Sequence, residues 1–112
     1  MPDVTIYHLA DPVEWAQAHQ SGEYTRSTRG RSLEEEGFIH CSDERQWPVV
    51  RRSFYGDVTT PLLLLEVDES RLTSPLVHEV GNPATGEVFA HIYGPLDVSA
   101  VVATTKLPPP HA

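Results

Sequence analysis

The sequence has a single cysteine, Cys41, which excludes an internal disulfide and a cysteine-based zinc cage. It has no run of about 18 apolar residues, so no membrane-spanning helix is expected. The N-terminus also lacks a basic region followed by a long apolar segment, and a secretory signal is not indicated. We therefore expect a cytoplasmic protein whose stability comes from core packing.

Positive charge is also scarce, with 8 Lys and Arg against 16 Asp and Glu and a formal net charge of −8. Because phosphate-backbone binding depends on clustered basic residues, this balance argues against DNA as a partner. The basic residues are unevenly placed, however, since Arg26, Arg29 and Arg31 fall close together. This cluster is either a solvated loop or a local anion site.

The apolar pattern predicts one small α+β domain. The length of 112 residues, 39% of them hydrophobic, fits a single domain, which we assign to residues 4–106. About six strands are predicted, over residues 4–9, 38–42, 61–67, 76–80, 88–93 and 100–105. About three short helices are predicted, over residues 12–20, 32–36 and 46–55. We expect a small, twisted, mostly antiparallel sheet.

Several local signals fix the limits of these elements. Asp11 and Glu14 have the spacing of a capping box at the start of the first helix. Residues 23–31 are polar without an apolar period and predict an exposed loop. The apolar run over residues 61–67 predicts a strand that is buried on both faces at the centre of the sheet. Residues 107–112 contain three prolines and are expected to be a disordered tail.

Two predicted strands share one layout, in which an aromatic residue, a histidine and a hydroxyl occupy alternate positions. The layout comprises Phe38, His40 and Ser42 in one strand, and Phe89, His91 and Tyr93 in the other. Alternate side chains of a strand point to the same face. Each strand therefore presents an aromatic ring, an imidazole and a hydroxyl along one side.

Three of the predicted strands carry a histidine, at His8, His40 and His91. If these strands are neighbours, three imidazoles converge, and such a set could hold zinc with an open fourth position. The alternative is that each is a core histidine satisfied by a backbone carbonyl. The histidines lack the local spacing of a metal motif, and we expect no metal. Cys41 faces away from His40, so a buried, inert thiol is expected.

The remaining polar candidates each have two interpretations. Ser42 either directs its hydroxyl at a ligand or caps the following helix. Glu79 and Glu87 could act as a general base or stabilise a developing cation in a cleft. Surface exposure is the simpler expectation for both carboxylates.

The residues Ile6, Tyr7 and His8, with residues 36–42 and 89–96, resemble the small bacterial domain-of-unknown-function family 952. The resemblance extends over residues 5–102. It implies an ADP-ribosyltransferase-like fold, in which a small split β-sheet with short flanking helices binds NAD between its halves. By this resemblance His8 contacts the adenosine ribose.

Individual motifs of this sequence resemble those of the superfamily, but two features of the superfamily pattern are missing here. His40 and Ser42 resemble the His-x-Ser motif of tRNA 2′-phosphotransferases, and His91 and Tyr93 fall near the third motif of the superfamily. Many transferases place there a catalytic Glu that stabilises the cationic ribose, whereas this strand offers His and Tyr. A Gly-Thr pair that often follows the first histidine is also absent.

The leading hypothesis is a pocket for NAD or a phosphorylated nucleotide, with a transferase-like activity. The predicted catalytic residues are His40, His91 and Tyr93, and the predicted substrate-binding residues are His8, Ser42, Arg26 and Arg29. One alternative is a non-catalytic binding or interaction module that kept the fold. Another is a metal-dependent hydrolase.

Overall fold

The fold is that of a computed structural model, which describes residues 5–112 and is α+β as expected. Its helices are α1 (Pro12–Ser21), α2 (Leu33–Glu36) and α3 (Trp47–Tyr55). Its strands are β1 (Thr5–Ala10), β2 (Glu23–Tyr24), β3 (Arg26–Thr28), β4 (Arg31–Ser32), β5 (Ile39–Cys41), β6 (Leu62–Asp68), β7 (Leu76–Asn82), β8 (Glu87–Ile92), β9 (Leu96–Asp97) and β10 (Val101–Leu107). Position 4 of the predicted first strand lies outside the described residues. Over residues 5–112 no helix has the length and hydrophobicity to span a membrane.

Two antiparallel sheets form the frame of the molecule. One has the strand order β1-β6-β10 and the other has the order β5-β8-β7. The backbones of Tyr7 and Ser42 join them by exchanging two hydrogen bonds of 2.8 Å. This bridge brings His8 of β1 close to His40 of β5.

Strand β6 is the centre of the first sheet and is buried on both faces, as predicted. Leu65 and Val67 pack into one hydrophobic cluster, whereas Leu62 and Leu64 pack into another. Because side chains alternate along a strand, β6 separates the two clusters. Alternate apolar residues of β6 thus pack into different hydrophobic clusters, one on each face of the strand.

Helix α1 starts at the predicted cap but makes only half of the predicted capping box. The carboxylate of Asp11 accepts hydrogen bonds from the backbone N–H groups of Val13 and Glu14, at 2.8 and 3.3 Å. The side chain of Glu14 does not return to the cap. It lies 2.7 Å from the guanidinium of Arg26, because an ion pair with β3 replaces the local hydrogen bond.

The polar segment at residues 23–31 is not the exposed loop that the sequence predicts. It forms β2 and β3, and continues to β4. Tyr24 and Ser27 are 2% and 0% exposed. The reason is non-local, since Tyr24 pairs with Leu96 of β9. No periodicity within the segment reveals a partner so far along the chain.

The C-terminal residues also differ from the expected disordered tail. His111 is 1% exposed, and its Nε2–H donates to the carbonyl of Thr60 at 2.8 Å. Arg51 of α3 donates to the Nδ1 atom of His111 at 3.0 Å and to the carbonyl of Pro108 at 2.9 Å. Specific hydrogen bonds hold this segment in place. Its order was therefore not predictable from the hydrophobicity of the sequence.

Candidate functional site

The two strands with the shared layout, β5 and β8, are direct neighbours, and His40 pairs with His91. Their imidazole rings are 5.6 Å apart. The ring of Phe38 stacks on His91 at 4.0 Å, and Phe89 lies 4.8 Å from His40. The alternation predicted from the sequence therefore places these side chains on one face of the second sheet.

A cavity of about 460 Å³ opens on this face, with Phe38, His40, Glu79, His91 and Tyr93 in its wall. We call it the histidine cavity. Its walls combine aromatic rings with groups that can accept or donate protons. This combination is typical of small-molecule sites.

Glu79 of β7 is held by two hydrogen-bond donors at this cavity. The Nδ1–H of His91 donates to its Oε2 atom at 2.6 Å, and the hydroxyl of Tyr93 donates to the same oxygen. The hydrogen bonds from Tyr93 and His91 lower the pKa of Glu79, and the contact with Glu79 raises the pKa of Tyr93. Glu79 is therefore an ionised carboxylate at neutral pH, and it fixes the ring of His91.

Three buried polar atoms of residues that line the cavity have no hydrogen-bond partner within the described part of the chain. They are the Nε2 atoms of His40 and His91 and the Oγ atom of Ser27. Buried polar groups in proteins are nearly always paired, and exceptions cluster where a ligand completes them. In the neutral tautomer whose Nδ1–H faces Glu79, the Nε2 atom of His91 has a lone pair that can accept a hydrogen bond from a ligand.

His40 is neutral at physiological pH. Burial, with smaller contributions from His8 and His91, lowers the pKa of His40 to about 4. A neutral imidazole can accept a proton or hydrogen-bond a ligand, but does not contribute a positive charge. The predicted catalytic residues His40, His91 and Tyr93 therefore lie together around Glu79, a carboxylate for which surface exposure was the simpler expectation from the sequence.

His8 is near this group but does not line the histidine cavity. Its Nδ1–H donates to the carbonyl of His40 at 2.6 Å, and its Nε2 atom accepts the hydroxyl of Tyr24 at 3.0 Å. Burial lowers the pKa of His8 to about 4. His8 is thus the core histidine with a backbone carbonyl partner that the sequence allowed, and it supports the strand that carries His40.

Ser42 is buried and does not cap the following helix. Helix α3 begins after Gln46 without a side-chain cap, and the carboxylate of Asp43 accepts hydrogen bonds of 2.8 Å from the N–H groups of Arg45 and Gln46 in the preceding turn. Ser42 lines a narrow gap with His8 rather than the histidine cavity. The neighbouring Cys41 is fully buried, which raises the pKa of its thiol.

The two predicted phosphate-binding arginines line a different cavity, of about 440 Å³, which we call the arginine cavity. Arg26 lies 2.7 Å from Glu14, and Arg29 lies 2.6 Å from Asp57. Neither arginine reaches the histidine cavity. Thr28, between them on β3, belongs to the walls of both cavities.

A β-bulge directs Glu79 into the site. Asn82 pairs with Glu87 at the hairpin end, but the register shifts at Gly81, and Glu79 then pairs with Phe89. A regular ladder from the Asn82–Glu87 pair would turn Glu79 to the opposite face of the sheet. The inserted residue places Glu79 diagonally next to His91, which the alternation of β7 alone does not reveal.

We expect the substitution Gly81→Ala to destabilise this bulge. A Cβ atom at Gly81 would lie 2.7 Å from the ring of Phe89, so the hairpin must shift. Overpacking of this kind costs about 1–3 kcal/mol in the free energy of unfolding. Urea titration measures it, and Val88→Ala on the exposed part of the same hairpin is the control. Equal stability of both variants would contradict the tight approach.

The sequence matches a known protein family. The family described as protein of unknown function (DUF952) matches residues 9–104. The chain belongs to this family. The match confirms the family for the motifs at residues 36–42 and 89–96, whereas Ile6, Tyr7 and His8 precede the matched region. The matched region includes every residue of the histidine cavity named above.

Solved structures similar to this chain include those of CC0527 from Caulobacter crescentus. Its crystal structure is 29% identical over 92% of this chain and 85% of that chain, with a TM-score of 0.76. Its solution NMR structure is 29% identical over 90% and 82% of the two chains, with a TM-score of 0.71. No curated protein matches the sequence. The fold is therefore shared with CC0527 over 92% of this chain.

Proposed function

We propose that the protein is an ADP-ribosyltransferase-like enzyme that binds NAD across the two cavities and cleaves it at the nicotinamide ribose. The observation that carries the proposal is the ionised Glu79, held by His91 and Tyr93 in the wall of the histidine cavity. The transferases that the sequence motifs resemble use a carboxylate for the cationic ribose. In this chain Glu79 supplies that carboxylate from the strand next to the third motif.

The chemistry follows from the charge that develops during cleavage. The bond between ribose C1′ and the pyridinium nitrogen breaks, and its electron pair leaves with nicotinamide. The ribose becomes positively charged, and a fixed carboxylate stabilises that charge without reorganising. An acceptor hydroxyl or water then forms the new bond to C1′ and releases its proton. His91 and Tyr93 hold Glu79 in place for this purpose, while His40 offers a neutral imidazole to a hydroxyl of the ligand.

The arginine cavity suits the phosphates of the same ligand. Arg29 donates to both carboxylate oxygens of Asp57, at 2.6 and 3.2 Å, and to the carbonyl of Phe54 at 2.9 Å. The side chains of Arg29 and Asp57 are 45% and 77% exposed, so solvent weakens their attraction. A pyrophosphate carries more charge than Asp57 and can replace it at low cost. Arg26 is more enclosed with Glu14, so Arg29 is the principal phosphate ligand. Thr28 connects the two halves of the cleft.

The binding experiment is isothermal titration of the protein with NAD, ADP-ribose and nicotinamide. We expect Arg29→Gln to weaken NAD and ADP-ribose about 5- to 20-fold, since a charge-assisted phosphate contact is worth about 1–2 kcal/mol. Nicotinamide, which has no phosphate, should be unaffected. Arg52→Gln removes an exposed arginine of α3 and serves as the control. Failure of NAD and ADP-ribose to bind at millimolar concentration would exclude the proposal.

A second candidate function is a non-catalytic nucleotide-binding module. The observation that favours it is His8, which the resemblance assigns to the adenosine ribose but which is occupied by Tyr24 and the carbonyl of His40. Release of nicotinamide from NAD distinguishes the two candidates. Binding without any release of nicotinamide identifies the module.

A further inference from the structure

Apart from the histidines, every charged side chain among the described residues of the histidine cavity's wall is negative. Glu79 and Glu36 both lie in its wall, and no lysine or arginine of residues 5–112 does. Hydrogen bonds from Tyr93 and His91 lower the pKa of Glu79, and burial lowers the pKa of His40 to about 4. At neutral pH the wall therefore combines carboxylates with a neutral imidazole at position 40.

Arg31, which lies outside the wall, does little to offset this charge. Arg31 lies 3.8 Å from the carboxylate of Glu36, and its side chain is 58% exposed. That distance is too long for a hydrogen bond, and an exposed pair of this kind contributes little. Glu36 is consequently available to a ligand that enters the cavity.

Aromatic rings complete the wall. Phe38 stacks on His91, and Tyr93 lies 5.5 Å from Phe38. Phe54 also lines the cavity and is 58% exposed. Aromatic faces attract organic cations through their quadrupole, and the attraction increases when the cation is partly removed from water.

Two unpartnered atoms indicate that a ligand with polar groups is required as well. Ser27 is 0% exposed and His91 is 3% exposed, yet Ser27 Oγ and His91 Nε2 lack a hydrogen-bond partner among residues 5–112. Both residues line the cavity. A ligand that has an amide or hydroxyl beside its positive charge would supply these atoms with partners.

We propose that the histidine cavity selects organic cations, namely a planar pyridinium or guanidinium group that carries a hydrogen-bonding substituent. The inference deepens the proposed function and rests on it in one respect, because it assigns the nicotinamide end of NAD to this cavity. Selectivity for charge is a property of the wall itself, and it can be measured with fragments that contain neither ribose nor phosphate.

The experiment compares two probes that differ by one methyl group and one charge, 1-methylnicotinamide, which is a cation, and nicotinamide, which is neutral. Titrations followed by protein NMR shifts give the two dissociation constants. We expect the cation to bind at least about 10-fold more tightly, which corresponds to about 1.4 kcal/mol. Equal affinity, preference for the neutral probe, or no binding of either at about 50 mM would overturn the inference.

A pair of carboxylate variants tests whether Glu36 contributes to the selectivity. Glu36→Gln should weaken 1-methylnicotinamide about 3- to 10-fold and leave nicotinamide unchanged, since only the cation interacts with the lost charge. Glu34→Gln, on the same short helix but outside the wall, is the control. An equal effect of both variants would show a general field rather than a contact in the cavity, and would overturn the assignment of Glu36.

The two proposals fail in different ways. Tight binding of the cation together with no binding of NAD would reject the proposed function and keep the cation site. Binding and cleavage of NAD together with equal affinity for the two fragments would keep the function and reject charge selection. The experiments can therefore reject either proposal without rejecting the other.

Discussion

Replacement of Glu79 with Gln is expected to reduce the rate of nicotinamide release from NAD by about 100- to 1000-fold, the usual cost of removing one preorganised charge from a transition state. The amide still accepts hydrogen bonds from His91 Nδ1–H and Tyr93, so the wall of the cavity keeps its geometry. What disappears is the negative charge opposite the cationic ribose. The loss should therefore appear in kcat.

The dissociation constant for NAD should change less than the rate. Glu79 also faces the positively charged ring of the bound ligand, and we expect binding to weaken by about 10-fold or less. Titration under conditions without turnover measures this quantity separately from kcat. A variant that weakens binding of NAD while kcat stays unchanged would indicate that Glu79 only holds the ligand.

The matched control is Glu87→Gln on the same hairpin. Glu87 is exposed and accepts a hydrogen bond from Gln46 at 3.2 Å, outside the histidine cavity. Both substitutions remove one negative charge from the same sheet, so a general electrostatic effect would be equal in the two proteins. Activity of Glu79→Gln at the level of Glu87→Gln would contradict the catalytic role of Glu79.

The parts of the site that were predictable from sequence depend on local periodicity. Alternation along a strand was enough to place Phe38 beside His40 and His91 beside Tyr93, because the period of side-chain direction in a strand is fixed. The helix start at Asp11 was also predictable, since a cap is a contact between near neighbours.

The unpredicted parts depend on contacts between distant residues. The pairing of Tyr24 with Leu96 orders a segment that has no apolar period of its own. His8 is withdrawn from the site because Tyr24, 16 residues away, satisfies its second nitrogen. The bulge at Gly81 changes the face on which Glu79 lies, and a bulge of one residue has no composition signal.

The free energy of unfolding is expected to fall as the pH decreases from 7 to 4.5, because two histidines are held neutral in the folded state. The pKa values of His8 and His40 are lowered from 6.5 to about 4, mainly by burial. Between these values the unfolded chain binds more protons than the folded one. Stability is therefore present above the unfolded pKa and is lost as the pH falls toward the folded pKa.

The size of the effect follows from linkage. His8 is fully buried, and its shift corresponds to roughly 2–3 kcal/mol between pH 7 and 4.5. His40 adds a smaller amount because it is less deeply buried. The lowered pKa values of Asp57 and Asp68 produce their loss of stability only at lower pH, below the ordinary carboxyl range. The raised pKa of Glu14 acts in the opposite direction, so it opposes the histidine effect.

Urea titration at pH 7.0, 6.0, 5.0 and 4.5 measures this slope, and a substitution at His8 assigns it. In His8→Asn the amide can still donate to the carbonyl of His40, but nothing titrates at that position. The variant should be less stable than the native protein at pH 7 and should show less than half of the native pH dependence, because His40 contributes less than His8 and Glu14 opposes both. His78→Gln removes an exposed histidine of β7 and should keep the native slope. If the free energy of unfolding of His8→Asn depends on pH as strongly as that of the native protein, His8 is not held neutral in the core. The lowered pKa of His8 would then be contradicted.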